Sequence, residues 1–156
     1  MALASVSASW DRVDYARRIL RAEAASLAVV SDRLDDSFTA VADMLFRCRG
    51  RIAVTGIGKS ADVGQKLVGT LNSTGTRAYL RDATRAVHGD LGAVAPEDVA
   101  LLLSHSGESE ELIRLLGPLR KLSSAITAIT SNADSTLARG ANAAIIYGPI
   151  QEACPL

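Results

Sequence analysis

Three closely spaced serines form the strongest candidate binding site in the sequence. They are Ser104, Ser106 and Ser109, and they directly follow an apolar run of three leucines. Hydroxyl groups and backbone N–H groups concentrated in such a loop can bind an anion through donors that carry no charge. This chemistry suits a phosphate monoester on a small molecule. The same spacing also fits simple helix capping, with Ser106 as the N-cap and Ser109 at position N3.

A lysine in a second polar loop adds positive charge to the candidate site. Lys59 lies between Gly58 and Ser60, and both neighbours are candidate contacts for the same ligand. A lysine ammonium group can hold the oxygens of a sugar, or it can stabilise an enediolate as negative charge develops. The alternative for Lys59 is an ordinary solvated side chain on the surface.

A nucleotide site is the main alternative for this glycine-rich loop. A Walker A loop requires a glycine five residues before Gly58, where the chain has Ala53, so that interpretation fails. The looser dinucleotide pattern is met by Gly56, Gly58 and Ala61, with Asp82 as the ribose contact. This pattern leaves the serine loop unexplained, whereas phosphosugar chemistry accounts for both loops.

Each polar loop lies between a short apolar run and a stretch with helical spacing. Residues 52–55, 101–103 and 125–129 are mainly apolar and are typical of buried strands. The alternation predicts an α/β fold in which helices cover both faces of a parallel sheet, a three-layer αβα sandwich. Ligands bind such folds at the carboxyl ends of the strands, where the polar loops lie. Residues 77–80 and 143–147 are further strand candidates, and the order of the strands stays open.

The first third of the chain is predicted to be helical. Residues 10–48 contain no glycine or proline and carry apolar side chains at helical spacing. The polar stretch 35–37 divides this segment into two helices, and Asp36 or Ser37 is the predicted cap of the second. The predicted organisation is an N-terminal helical segment, residues 1–49, and an α/β domain, residues 50–156, which form effectively a single domain.

Composition and charge exclude several classes of protein. The 156 residues include 17 basic and 17 acidic side chains and 4% aromatic residues, so the chain has no excess of positive charge and few stacking groups, and we expect it not to bind nucleic acid. No apolar stretch reaches the roughly 20 residues of a membrane span, and no signal peptide is evident, so we expect a cytoplasmic protein. Cys48 and Cys154 are too few for a disulfide framework. Neither His88 nor His105 has a companion at metal-ligand spacing, so we expect no metal and no cofactor.

Four polar segments stand in order along the chain and together point to one known family. They are Val54-Thr55-Gly56-Ile57-Gly58-Lys59-Ser60, Ala86-Val87-His88-Gly89-Asp90-Leu91-Gly92, Ser104-His105-Ser106-Gly107-Glu108-Ser109 and Glu152-Ala153-Cys154-Pro155-Leu156. With these segments the chain closely resembles the sugar isomerase (SIS) domain of D-arabinose 5-phosphate isomerases. The serine loop is shared by many SIS proteins, and the second and fourth segments point to this subfamily.

The resemblance implies a five-stranded parallel sheet and a homodimer or homotetramer. It also implies interconversion of D-arabinose 5-phosphate and D-ribulose 5-phosphate through an enediol, in the synthesis of lipopolysaccharide sugars. In this family the three serines and the backbone of His105 are expected to hold the phosphate. By the same resemblance, substrate handling and acid/base chemistry fall on Lys59, His88, Glu111 and Glu152.

Helix geometry separates the three acids near the start of the helix predicted after the serine loop. Around that helix, Glu110 points away from the leucine stripe, Glu108 lies on it and Glu111 lies at its edge. An edge position lets a carboxylate reach a cleft and act as a base, and a solvated helix acid is the alternative. For His88, Asp90 is a candidate to orient the imidazole, and a hydrogen-bonded structural histidine is the alternative.

Members of the family continue beyond the position of Leu156, with a further helix, a later histidine and often a pair of CBS domains. Two classes of function therefore stay open, the isomerase and a non-catalytic module that binds sugar phosphates. Within the enzyme class, an isomerase acting on another phosphosugar is the alternative.

Overall fold

The computed structural model describes residues 11–87 and 90–153, which fall into two compact units. One unit contains most of helix α1 (Arg12–Arg33) and the segment that follows Pro149. Within this unit, the hydroxyl of Ser26 donates a hydrogen bond to the backbone oxygen of Gln151 over 3.2 Å. No residue of α1 is buried. Neither this helix of 22 residues nor any other helix in the described ranges is long and apolar enough to cross a membrane.

The second unit, Arg33–Pro149, is built on a parallel sheet of five strands. Their order across the sheet is β2-β1-β3-β4-β5, which confirms the expected five-stranded sheet and supplies the order that the sequence left open. The last strand ends one residue earlier than predicted, which leaves Tyr147 just beyond it. The strands are β1 (Ile52–Gly56), β2 (Ala78–Asp82), β3 (Val99–Leu103), β4 (Ala125–Thr130) and β5 (Ala143–Ile146).

Helices cover both faces of the sheet, so the predicted three-layer αβα sandwich is confirmed. Successive residues of β3 face opposite sides, with Leu101 packed in one core cluster beside Val68 and Leu102 in the other beside Leu115. Burial of each such leucine contributes about 1.5–3 kcal/mol. The helices are α2 (Asp36–Phe46), α3 (Lys59–Ser73), α4 (Ala83–Val87), α5 (Glu110–Leu122) and α6 (Thr136–Gly140), with a short 3-10 helix at Asp90–Ala93.

The start of α2 differs from the prediction. The N-cap is Asp35, whereas the sequence favoured Asp36 or Ser37. Asp35 has extended backbone geometry, and its carboxylate accepts the N–H of Ser37 over 2.9 Å. Hydrogen bonds from Ser37 lower the pKa of Asp35 below its usual value. Asp36 already has helical geometry and therefore lies inside the helix that it was expected to cap.

Candidate active site

The carboxyl ends of β1 and β3 lie side by side, with Gly56 paired to Leu103. From these ends the chain continues into α3 on one face of the sheet and into α5 on the other. In parallel sheets with this strand order, ligands bind in the crevice at such a switch point. A cleft of about 350 Å³ opens here. It is lined by Lys59, Ser60, Val63, Leu67, Leu103, Ser104, His105, Ile129 and Tyr147.

The loop after β1 brings Lys59 to the cleft by means of two glycines. Gly56 allows a close approach, because a Cβ there would lie 2.7 Å from the carbonyl carbon of Ser60. Gly58 has a φ of +53° and is the N-cap of α3, so Lys59 is the first residue of that helix. Gly58, Lys59 and Ser60 therefore lie together at a helix N-terminus, where the backbone dipoles give a partial positive charge.

The loop after β3 is closed by the side chain of Ser104. This residue is only 4% exposed, and its hydroxyl oxygen accepts the N–H of Gly107 over 3.1 Å. The same oxygen lies 2.9 Å from the hydroxyl oxygen of Ser109. Gly107 has a φ of +69°, and a Cβ at this position would overlap the side chain of Ser135. Ser104 thus fixes the shape of the loop as well as lining the cleft.

Ser106 is exposed, and its hydroxyl oxygen accepts the N–H of Glu108 over 3.1 Å. Because the oxygen is the acceptor in this bond, the hydroxyl proton is left to donate to an anion. The capping alternative for this residue is wrong, since the N-cap of α5 is Ser109 and the helix begins at Glu110. The left-handed backbone of Gly107 separates Ser106 from the helix. Ser109 makes no capping hydrogen bond through its side chain, and neither it nor Ser106 is among the residues that line the cleft.

His105 and Tyr147 form a hydrogen-bonded pair on the wall of the cleft. The imidazole Nδ1 lies 2.7 Å from the phenolic oxygen, and both residues line the cleft. The sequence predicted a role for the backbone of His105 and none for Tyr147. The available signal was position: Tyr147 directly follows β5 at the carboxyl end of the sheet, the same end as the other polar loops.

The three acids at the start of α5 have different environments. Glu110 is exposed and forms an ion pair with Arg114, as expected for the side of the helix away from the core. Glu111 is half-buried in the first turn and is not among the residues that line the cleft. The placement of Glu108 on the leucine stripe is wrong because this residue precedes the helix. Its carboxylate accepts the N–H of Thr136 at the start of α6 over 2.7 Å, and this hydrogen bond lowers the pKa of Glu108.

Two of the predicted site residues, Glu152 and His88, fall outside the described part of the second unit. Glu152 belongs to the unit that contains most of α1, and its side chain is exposed. His88 lies outside the described residues. The roles predicted for both residues stay predictions.

Cys48 is not among the residues that line the cleft. Cys48 is a free thiol that packs against the core cluster of β1 and α3, whereas Cys154 lies outside the described residues. Within residues 11–87 and 90–153, no three or more His, Cys, Asp or Glu side chains form a group that could hold a metal ion. The donors at the cleft are hydroxyl, amide and ammonium groups, which suit an anionic organic ligand.

Sequence comparison finds a matching family model and related proteins over most of the chain. Residues 44–155 match the family model of the SIS domain. A Haemophilus influenzae protein designated a probable arabinose 5-phosphate isomerase is 41% identical over 147 residues, which cover 92% of this chain and 44% of that protein. The chain therefore spans less than half the length of the curated relatives that it matches.

Two solved structures share the fold over most of the chain. An Escherichia coli CFT073 protein in complex with arabinose 5-phosphate is 32% identical and has a TM-score of 0.81, with 93% of this chain and 79% of that chain covered. A candidate sugar-phosphate isomerase from Listeria monocytogenes is 26% identical and has a TM-score of 0.86, with 92% of this chain and 75% of that chain covered.

Proposed function

Because the chain belongs to the SIS domain family, we propose that its cleft between β1 and β3 binds a phosphosugar and interconverts D-arabinose 5-phosphate and D-ribulose 5-phosphate. One observation carries this proposal: Lys59 and Ser104, from two separate loops, line a single cleft at the neighbouring carboxyl ends of β1 and β3. The similarity to relatives designated arabinose 5-phosphate isomerases supports this choice of substrate. The solved relative in complex with arabinose 5-phosphate supports it as well.

In this proposal the phosphate binds at the serine loop. The first N–H groups of α5 have no partner within the helix, and the helix dipole adds a partial positive charge at the same place. The exposed Ser106 donates its hydroxyl proton, and Ser104 holds the loop in the conformation that presents these donors. The backbone N–H of His105 and the hydroxyl of Ser109 complete the proposed phosphate contacts.

The isomerisation needs a base and an electrophile at the other end of the sugar. A base removes the proton from C2 of the aldose, and the carbonyl oxygen at C1 gains a proton to give the enediol. Loss of the hydroxyl proton at O2 and protonation of C1 then give the ketose. We propose Glu111 or Glu152 as the base, and Lys59 as the group that stabilises the developing negative charge. His88 and the other of these two carboxylates are the candidates for the remaining proton transfers.

The same resemblance supports two further parts of the proposal. The product would enter the synthesis of lipopolysaccharide sugars, and the chain would act as a homodimer or homotetramer. Val13, Leu20 and Leu27 of α1 are each more than half exposed, so this helix offers apolar surface for a second copy of the chain.

The test is to incubate the chain with arabinose 5-phosphate and to measure ribulose 5-phosphate, with binding measured in parallel by calorimetry. The double variant Ser104→Ala, Ser106→Ala is expected to lose both binding and turnover. Its matched control is Ser73→Ala, which removes an exposed hydroxyl at the end of α3 that donates to the backbone oxygen of Thr70.

Three outcomes separate the candidate functions. Turnover that disappears in the double variant supports the isomerase. Binding of arabinose 5-phosphate without turnover supports the non-catalytic module. Phosphosugar binding that is unchanged in the double variant would contradict both, because each depends on the serine loop.

A further inference from the structure

The hydrogen bond between His105 and Tyr147 joins two loops that are far apart in sequence. His105 follows β3 and Tyr147 follows β5, and β4 lies between these strands in the sheet. The imidazole Nδ1 and the phenolic oxygen are 2.7 Å apart, and the ring centroids are 5.8 Å apart with a 40° tilt. Both side chains therefore meet above the end of β4, on the wall of the cleft.

The backbones of both residues are fixed to the end of β4. The carbonyl oxygen of His105 accepts hydrogen bonds from the N–H of Ser131 at 3.0 Å, from the Ser131 hydroxyl at 2.7 Å and from the Thr130 hydroxyl at 3.1 Å. The N–H of Tyr147 donates to the carbonyl oxygen of Thr130 over 3.1 Å. On the other side, the Arg33 guanidinium donates to the carbonyl oxygen of Tyr147 over 3.1 Å. These bonds fix the two backbones, and the hydrogen bond between the side chains orients the two rings.

Either side chain of the pair can donate, and the direction of the hydrogen bond fixes where the imidazole proton lies. Burial raises the pKa of Tyr147, so its hydroxyl keeps its proton at neutral pH and can donate to Nδ1 of His105. A neutral imidazole that accepts at Nδ1 carries its own proton on Nε2. Within the described part of the chain, Nε2 of His105 has no hydrogen-bond partner. This tautomer therefore leaves one oriented donor for a ligand.

We propose that the His105 side chain contacts a hydroxyl of the sugar chain through Nε2–H, and that Tyr147 is the positioning residue that sets this tautomer and orientation. The proposal rests on the proposed function, since it requires a phosphosugar in the cleft. His105 directly follows Ser104, so its ring lies beside the proposed phosphate site, and Lys59 lines the same cleft. The pair would thus recognise a hydroxyl group of the sugar rather than the phosphate.

Measuring the affinity for two ligands tests whether the pair contacts the sugar while the serine loop contacts the phosphate. With calorimetry on the full chain, Tyr147→Phe should weaken binding of arabinose 5-phosphate by roughly 3- to 10-fold, the loss expected for one neutral hydrogen bond. Binding of inorganic phosphate should be unchanged in this variant. The double variant Ser104→Ala, Ser106→Ala should weaken both ligands. The matched control is Tyr79→Phe, which removes a tyrosine hydroxyl that bonds to Asp98, away from the cleft, and should weaken neither.

The tautomer gives a second readout, which a purely structural role for Tyr147 would not change. The chain has two histidines, so ¹⁵N spectra of the imidazole groups can be assigned with the His105→Asn variant. In Tyr147→Phe, the Nδ1 and Nε2 shifts of His105 should move toward a mixture of tautomers. In the isomerase assay, the same variant should raise KM by a similar factor and leave kcat within about two-fold.

The outcomes separate this inference from the proposed function. Equal weakening of both ligands, or unchanged imidazole shifts in Tyr147→Phe, would overturn the inference even if the chain isomerises arabinose 5-phosphate. Selective weakening without any turnover would uphold the inference and reject the isomerase. If the wild-type chain bound no phosphosugar, both would fail.

Discussion

The hydroxyl oxygens of Ser104 and Ser109 lie 2.9 Å apart and join the end of β3 to the N-cap of α5. Ser104 also accepts the N–H of Gly107, so the loop is closed at its base by side-chain hydrogen bonds. The exposed Ser106 lies within this closed segment. A binding loop that is ordered before the ligand arrives loses less conformational entropy on binding, which favours affinity.

This arrangement predicts different effects for the buried and the exposed serine. Ser106→Ala should weaken phosphosugar binding about 10- to 100-fold, the loss expected for a hydrogen bond to a charged group, with little effect on stability. Ser104→Ala should also lower the free energy of unfolding by about 1–3 kcal/mol, because the N–H of Gly107 would lose its acceptor. Calorimetry and urea denaturation measure the two effects. Equal loss of stability in both variants would contradict the distinction.

Lys59 is expected to act on the reaction more than on the fold. Lys59→Met should lower kcat roughly 100- to 1,000-fold, as expected when one group that stabilises developing negative charge is removed. Since the side chain is exposed, the melting temperature should stay close to that of the wild type. The control is Lys121→Met in the last turn of α5, an exposed lysine that does not line the cleft. A similar kcat in the two variants would argue against Lys59 as the electrophile.

Gly107 is expected to be necessary for the shape of the serine loop. Gly107→Ala should destabilise the chain by more than about 1–2 kcal/mol, because alanine disfavours a φ of +69° and its methyl group would overlap Ser135. Gly69→Ala is the matched control, since this glycine lies inside α3 with open space around it. The control should gain about 0.5–1 kcal/mol from helix propensity. Thermal denaturation shows whether each substitution stabilises or destabilises the chain. A higher melting temperature for Gly107→Ala would contradict the backbone geometry of Gly107.

Short-range patterns in the sequence were sufficient to predict the layers of the fold. The leucines of α5 and the apolar run of β3 encode their burial through local periodicity, and both were predicted correctly. The helix starts were less accurate, because Asp35 and Ser109 are caps by virtue of backbone geometry that neighbouring polar residues could equally have adopted. The glycines of the first loop were identified from their spacing between an apolar run and a helical pattern.

Contacts between distant segments were not predictable in this way. Tyr147 meets His105 only because the ends of β3, β4 and β5 are adjacent, and the strand order was not in the sequence pattern. Glu108 was assigned to a helix face by periodicity, although its partner, Thr136, lies 28 residues away. The hydrogen bonds of Asp98 are of the same kind, since its partners come from three separate segments.

Asp98 is expected to be the main buried polar contributor to stability at the amino end of the sheet. It is 1% exposed, and its carboxylate accepts the N–H groups of Arg51 at 2.7 Å and Ala95 at 3.1 Å and the hydroxyl of Tyr79 at 3.2 Å. Asp98→Ala would leave these donors without an acceptor and should cost at least about 3 kcal/mol. Asp98→Asn keeps one acceptor oxygen and should cost less. Urea denaturation gives both values, and equal values would mean that the donors find other partners.

Because of its lowered pKa, Glu108 is expected to make the stability of the fold fall slightly at acid pH. The hydrogen bond from the N–H of Thr136 lowers the pKa of Glu108, so the folded chain favours the ionised carboxylate more than the unfolded chain does. The stabilisation is therefore complete above the ordinary glutamate pKa of about 4.3 and is lost as the pH falls through the lower pKa of the folded state. Glu108→Gln should show a smaller fall in melting temperature between pH 6 and pH 3 than the wild type.

The comparison needs a control for the loss of one negative charge. Glu23→Gln removes an exposed acid in α1 and should leave the wild-type pH dependence unchanged. If Glu108→Gln and Glu23→Gln had the same pH profile, the carboxylate of Glu108 would not stabilise the start of α6. A flatter profile in Glu108→Gln alone would mean that the carboxylate of Glu108 connects the serine loop to α6. Protonation of Glu108 would then weaken this connection and loosen the loop that is proposed to hold the phosphate.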